Sequence, residues 1–308
     1  VRTTGGGPGS RWVLAQYLAL ALTWGASFLF VELGLAGLSP TQVVLGRLVI
    51  GALTLVAVTA VTRQQLPREP LVWAHLAVTA LLLCVVPFLL FAWAQQSIPS
   101  GLASIYNATT PLMTTLVALA ALPEERPTAA RVTGLLIGFT GVLVVLAPWR
   151  GVGSGALPAQ AACLLATACY GAAFVHLRRT IAPRGIPAVP VATVQVGLGA
   201  VVLLVLAPLF ATSPVALSPA VVLGVLALGG LGTGLAYVWN TNVVSGWGAT
   251  NAATVTYLTP VVGVGLGALV LDEAVTWNQP LGAAVVVLGI VVNQHRPAVP
   301  ARTRNGGC

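Results

Sequence analysis

Charge is what this sequence has least of. Only 6% of its 308 residues are Asp, Glu, Lys or Arg, against about 25% in soluble domains, so no soluble fold could clothe its surface with them. Lysine is absent, and all fourteen basic residues are Arg. Catalytic signatures are missing too: there is no His-Glu-x-x-His helix, no Gly-x-Ser-x-Gly turn and no Walker loop. Four cysteines (Cys84, Cys163, Cys169 and Cys308) show no paired or metal-like spacing, which argues against a disulfide framework or a zinc site. His75, His176 and His295 are not spaced with Cys or acids as ligands. The expectation is no cofactor, no metal and no nucleotide-binding domain.

What the chain has is apolar bulk: 57% hydrophobic residues and a mean hydropathy of +0.95. From Pro70 to Pro123, and again from Gly185 to Leu271, not one Asp, Glu, Lys or Arg occurs. A bilayer span needs about 20 apolar residues, so the first stretch holds roughly two crossings and the second roughly three, punctuated by Pro and Gly. A β-barrel would alternate polar and apolar residues, and these blocks are continuously apolar. The fold class is an all-α integral membrane protein.

Ten spans are predicted near 12–35, 41–61, 72–95, 101–122, 128–146, 157–177, 187–210, 219–241, 249–271 and 277–293. Between them lie turn-forming breaks such as Leu38-Ser39-Pro40, Ile98-Pro99-Ser100-Gly101 and Ser245-Gly246-Trp247-Gly248. Residues 1–10 read as a polar tail, followed by an apolar run too long for a cleaved signal. Residues 148–156 read as a linker and 295–308 as a second tail. With the N-terminus inside, twelve arginines fall in cytoplasmic segments, Arg150 falls outside and Arg47 lies within a span. That bias predicts cytoplasmic termini and accounts for the net charge of +8 without a nucleic-acid partner. The expected setting is the cytoplasmic (inner) membrane of a bacterium, with the lipid bilayer and a small molecule as partners. Nothing in the sequence fixes an oligomeric state.

The chain also repeats itself. Ala103, Pro111, Glu124, Gly134 and Gly141 are separated by 8, 13, 10 and 7 residues; Ala252, Pro260, Glu273, Gly282 and Gly289 by 8, 13, 9 and 7. Trp24-Gly25-Ala26-Ser27-Phe28 matches Tyr170-Gly171-Ala172-Ala173-Phe174, and Phe91-Ala92-Trp93 is paired with Tyr237-Val238-Trp239. Each half, 11–147 and 157–294, then holds five spans. An odd number inverts the second half relative to the first, the arrangement in which secondary transporters bind substrate between repeats near the midplane.

These anchors resemble the EamA family of the drug/metabolite transporter superfamily. The likeness rests on Trp24-Gly25 with its following small residue and Phe, Ser39-Pro40 leading to Arg47, the Pro111-to-Glu124 block and its echo from Pro260 to Glu273. It implies a ten-helix carrier for metabolites, amino acids or drugs, often an exporter, with a cavity lined by the first, third, fourth, sixth, eighth and ninth spans. Glu32 departs from the family's usual basic or neutral residue. The second half has Val194 or Gln195 where the first has Arg47.

Candidate site residues follow. Arg47 lies seven residues past Pro40, about 10 Å deep at 1.5 Å per residue. Arg in hydrocarbon costs about 2.5–3.5 kcal/mol or more, so it faces protein or a wet cavity, or snorkels to the interface. Glu32, at similar depth, is a candidate ion-pair or gate partner and a candidate proton-coupling group. Tyr106, Asn107 and Thr110, with Thr114, form a polar stripe in the fourth span. Thr233, Tyr237 and Asn240 form one in the eighth, and Asn251, Thr254 and Tyr257 one in the ninth. With Trp24, Ser27, Trp93 and Tyr170 these make the expected substrate cavity; the bland alternative is interhelical hydrogen bonding. Glu124 and Glu273, just before the last span of each half, are expected to cap helix N-termini. A membrane-embedded enzyme and a non-transporting subunit stand as alternative functions. Against the enzyme, no acid or base other than Glu32 and Arg47 lies deep in a span.

Overall fold

The computed structural model describes residues 8–122, 128–146, 156–248, 252 and 254–294, which form helices and connections with no strand among them. The helices are α1 (Pro8–Leu35), α2 (Pro40–Val61), α3 (Pro70–Ala94), α4 (Ser100–Asn107, continuing as Thr110–Ala121), α5 (Ala129–Leu146), α6 (Ala156–Thr180), α7 (Ala188–Phe210), α8 (Pro219–Trp247), α9 (Val255–Val270) and α10 (Asn278–Gln294). α1, α2, α3, α6, α7 and α8 are each long and apolar enough to cross a bilayer, and α5, α9 and α10 are shorter apolar helices. Leu53, Val56, Leu204, Val205 and Leu223 are exposed apolar side chains, the surface expected of helices whose solvent is lipid.

Local chemistry sets the boundaries. α2, α3 and α8 begin on proline, whose missing N–H costs nothing in a first turn. At α2 the start is fixed by a reciprocal cap: Ser39 N–H donates to Gln42 Oε1 (2.8 Å) and Gln42 N–H to Ser39 Oγ (3.4 Å). α4 breaks at Ala108-Thr109 because Pro111 cannot donate to the Asn107 carbonyl, which accepts from Thr110 Oγ1 instead (2.7 Å).

The two halves are inverted five-helix repeats, and the backbone repeats as well as the sequence. α3 carries a π turn at Leu81–Val85 and α8 carries one at Gly230–Leu235. The helices start at Pro70 and Pro219, the same interval that separates Ala103 from Ala252. That register pairs Trp93 with Asn242, so the pairing of Phe91-Ala92-Trp93 with Tyr237-Val238-Trp239 was displaced. It was drawn on aromatic identity, which a one-turn slip along a helix can reproduce.

The halves exchange partners. α1 packs on α8 and α9, α6 packs on α3 and α4, and the pairs α2–α7 and α5–α10 join like to like. Glycines mark the crossings. A Cβ on Gly25 would meet Val262 at 2.5 Å; one on Gly171 would meet Met113 and Thr114 backbone at 2.9 Å. Gly134, Gly141, Gly282 and Gly289 lie where α5 and α10 touch backbone to backbone, which gives the repeated glycine spacing its physical cause.

Candidate functional site

Arg47 of α2 lies where the first half meets the π turn of α8, close to the π turn of α3. Its Nε donates to Thr233 Oγ1 in the α8 turn (3.0 Å), and its guanidinium carbon sits 3.5 Å from the centroid of the Phe88 ring just beyond the α3 turn. Cys84, in the α3 turn, and Tyr170 and Tyr237 are within electrostatic reach of it. Gln195 of α7 is buried beside them and donates to Cys84 Sγ (3.5 Å) and Tyr237 OH (3.4 Å). Phe28, Phe91 and Tyr170 continue the aromatic wall, with centroids 5.6 and 6.2 Å apart. π turns recur at functional sites because they re-aim side chains within a helix.

Arg47 does not snorkel, and it does not pair with Glu32. The Glu32 carboxylate instead accepts from Gln95 Nε2 (3.4 Å), which also donates to the Phe28 carbonyl (2.9 Å). Gln95 thus holds Glu32 in the α1–α3 seam, beside a cleft of about 450 Å³ lined also by Leu33, Leu35, Ala36, Gln96 and Leu271. The Arg47 side chain runs inward to Phe88 and Thr233. A cation on a ring face gains about 2 kcal/mol when desolvated, and one neutral hydrogen bond about 1. Neither supplies the opposite charge that a partly buried guanidinium in apolar surroundings calls for.

The structure draws some expected residues to this junction and leaves others out. Tyr170 and Tyr237 belong to it. Trp24 packs with Leu20, Ala236, Val255, Trp239 and Leu258. Asn107 and Asn240 are partly buried, with no side-chain hydrogen bond to a described residue, so their amides remain available. Thr110 is spent on the α4 break and Thr114 on the Thr110 carbonyl (2.8 Å). Ser27 is buried, bonded to the Thr23 carbonyl (2.9 Å) and closed over by Gly232. Tyr106 is 1% exposed in the α4–α6 core. Trp93 is 47% exposed. Thr254 and Tyr257 lie at the end of the bundle opposite Glu32, where Tyr17 OH lies 2.8 Å from Thr254 Oγ1. Asn251 and Glu124 lie outside the described residues.

Glu273 caps a helix, as its type and place implied, but not the one that follows it. Its Oε1 accepts from Ser100 N–H (2.7 Å) and its Oε2 from Gly101 N–H (2.9 Å), so the α9–α10 connection of one half closes the N-terminus of α4 in the other. His75 and His176 meet with ring centroids 5.2 Å apart, although no group of three metal-ligating side chains exists among the described residues. Cys84, Cys163 and Cys169 are free thiols. Phe88 and Cys84 were missed as site residues by sequence reasoning; Gln195 was noted there only as one of two positions matching Arg47, and it lies seven residues into α7 as Arg47 is seven into α2.

The sequence profile of the EamA-like transporter family matches residues 11–147 and again 157–293, one match for each five-helix half. The chain belongs to this family. It is 25% identical over 286 residues to the uncharacterized transporter YoaV of Bacillus subtilis, covering 91% of this chain and 96% of the relative. It is 24% identical over 288 residues to a probable amino-acid metabolite efflux pump of Escherichia coli K12, covering 90% and 92%. A solved crystal structure with 22% identity superposes with a TM-score of 0.65, covering 91% of this chain and 97% of that one, a likeness of fold alone. Membership of the EamA-like family makes the chain a membrane transporter and not an enzyme. Its two matched halves meet at the Arg47 junction.

Proposed function

We propose that this EamA-like chain is a secondary transporter that exports a small metabolite, amino acid or drug-like compound across the cytoplasmic membrane by alternating access. The substrate seat is the junction around Arg47, Tyr170, Tyr237, Asn107 and Asn240. The observation that carries this reading is a guanidinium beside both π turns, where the two halves meet, with its terminal nitrogens bonded to no described residue. Contacts between halves at the two ends of the bundle would act as alternating closures: Glu273 with Ser100 and Gly101 at one end, Tyr17 with Thr254 at the other.

Both termini are cytoplasmic in this reading. Support comes from the arginine distribution and from Glu69 and Arg184, whose 3.7 Å ion pair joins the arginine-bearing α2–α3 and α6–α7 connections at one end. A thiol-reactive probe added outside intact cells should label a cysteine placed at Gly153 and not one at Ala182; the reverse pattern overturns the orientation. Counterflow of labelled compounds in proteoliposomes tests transport itself. No exchange across a metabolite and amino-acid panel, with protein that melts cooperatively, would refute the carrier mechanism.

A further inference from the structure

We infer that the seat at Arg47 takes a singly charged carboxylate with an apolar or aromatic body, an inference that rests on the central-site reading above. The first ground is an unmet charge. Glu32 is held by Gln95, Glu69 faces Arg184 and Glu273 binds the start of α4. Asp272 is exposed in the connection after α9. The two remaining acids, Glu124 and Glu125, lie outside the described residues, in the sequence between α4 and α5. No described acid therefore neutralises Arg47. A guanidinium among buried Phe88, Thr233 and Cys84 has its charge neutralised only when an anion arrives.

Geometry narrows that anion. Nε is already committed to Thr233, which leaves the two terminal amino groups. They make no bond to a described residue, and they are not among the sealed, unpartnered polar atoms, so they face open space. A pair of parallel N–H donors on a planar fork matches the two oxygens of a carboxylate.

Charge counting narrows it further. Among the described residues Arg47 is the one basic side chain within the junction; Arg11, Arg63, Arg68, Arg131, Arg178, Arg179 and Arg184 lie near helix ends or in connections. A monoanion leaves the complex neutral. A phosphate dianion would bring an uncompensated negative charge, and a zwitterionic amino acid would bring an ammonium with no carboxylate to receive it. The oxygens at hand are neutral: the Tyr170 and Tyr237 hydroxyls, the Asn107 and Asn240 amides, and the hydroxyl of Thr233, which itself donates to the Leu228 carbonyl (3.3 Å). The rings of Phe88, Phe91, Tyr170 and Tyr237 offer the rest of the ligand an apolar, aromatic wall.

The test is a thermal-shift comparison on the purified full chain with four probes of one shape: 3-phenylpropanoate, phenylalanine, phenethylamine and phenyl phosphate, with butanoate and indole-3-propanoate as further monocarboxylates. A bound ligand raises the melting temperature in a concentration-dependent way. The expected result is that at least one monocarboxylate stabilises at tenfold or more lower concentration than the zwitterion, the amine or the dianion. Arg47→Gln should abolish that shift, and Arg47→Lys should weaken it by about tenfold. Equal or better stabilisation by phenylalanine or phenethylamine, no response to any monocarboxylate, or an undiminished response in Arg47→Gln overturns the assignment. The wild-type comparison needs no variant, so it decides even if Arg47→Gln does not fold. Counterflow separates the two levels of inference. Exchange of an amine or zwitterion without binding of monocarboxylates removes the carboxylate assignment alone. Arg47-dependent binding without exchange of any compound removes the carrier mechanism alone.

Discussion

Glu273→Ala is the substitution whose cost the structure specifies best. The carboxylate receives two backbone N–H groups, from Ser100 at 2.7 Å and Gly101 at 2.9 Å, and both of those residues are buried. The preceding residue is Pro99, with no side-chain cap of its own, so among the described residues Glu273 is the one acceptor for these donors. Removing an N-terminal cap costs about 0.5–2 kcal/mol, and each buried donor left without a partner costs about 1–3. The cleft lined by Pro99 and Glu273 lets water reach the vacated space, which holds the loss near the bottom of that range, about 2–3 kcal/mol. At about 2 °C per kcal/mol for a chain of this size, the melting temperature should fall by about 5 °C in detergent, followed by tryptophan fluorescence. Glu273→Gln keeps one acceptor oxygen but turns an amide toward the second N–H, so it should lose about half as much. Glu273→Asp is one methylene shorter and should behave like Ala. A Glu273→Ala protein that melts as wild type, or a Gln variant as damaged as Ala, would refute the assignment of the carboxylate as a cap of α4.

Gly171→Ala should destabilise by about 1–3 kcal/mol, because its Cβ would press on Met113 and Thr114 backbone, which cannot move aside. Gly197→Ala, in α7 with nothing within 4 Å of the new methyl, should instead gain up to about 1 kcal/mol of helix propensity; paired melting curves compare the two directly. Tyr17→Phe removes the hydroxyl that meets Thr254 at 2.8 Å and keeps the ring against Trp247. Stability should drop by about 0.5–1.5 kcal/mol, and a cysteine at Gly246, where Val13 now packs, should label faster. Unchanged labelling would mean that this contact closes nothing.

How far the sequence could be read follows from the solvent. Span number and order were legible because crossing a bilayer demands long apolar runs, and the observed helices α1 to α8 begin and end within a few residues of the predicted ones, apart from the longer tails of α1 and α8. The inverted repeat was legible because glycine is needed wherever two backbones touch, and Gly134, Gly141, Gly282 and Gly289 carry that need in their spacing. Which face of each helix looks inward was not legible. Lipid and protein interior are both apolar, so the helices are hydrophobic all round, and no stripe marks the core. Trp93 and Ser27 were assigned to the junction for that reason, and Phe88 was overlooked for the same one. The π turns could not be read either: they shift side chains by a fraction of a turn without changing composition.

The polar residues separate by a simple physical rule. In a membrane a hydroxyl can satisfy itself on the carbonyl one turn back, so a threonine stripe carries little information about a cavity: Thr110, Thr114, Thr115 and Thr140 all do this. A guanidinium cannot, because its donors project too far from its own backbone. The same contrast explains the imperfect symmetry of the repeat. Arg47 and Gln195 stand at matching places in α2 and α7, and both reach the Cys84–Tyr237 neighbourhood. A second arginine at 195 would set two cations in one apolar junction and repel its twin. Glutamine keeps the length and the N–H donors without the charge. If one carboxylate is the cargo, a single arginine neutralises it fully, and the neutral glutamine opposite closes the aromatic wall without claiming a second anion.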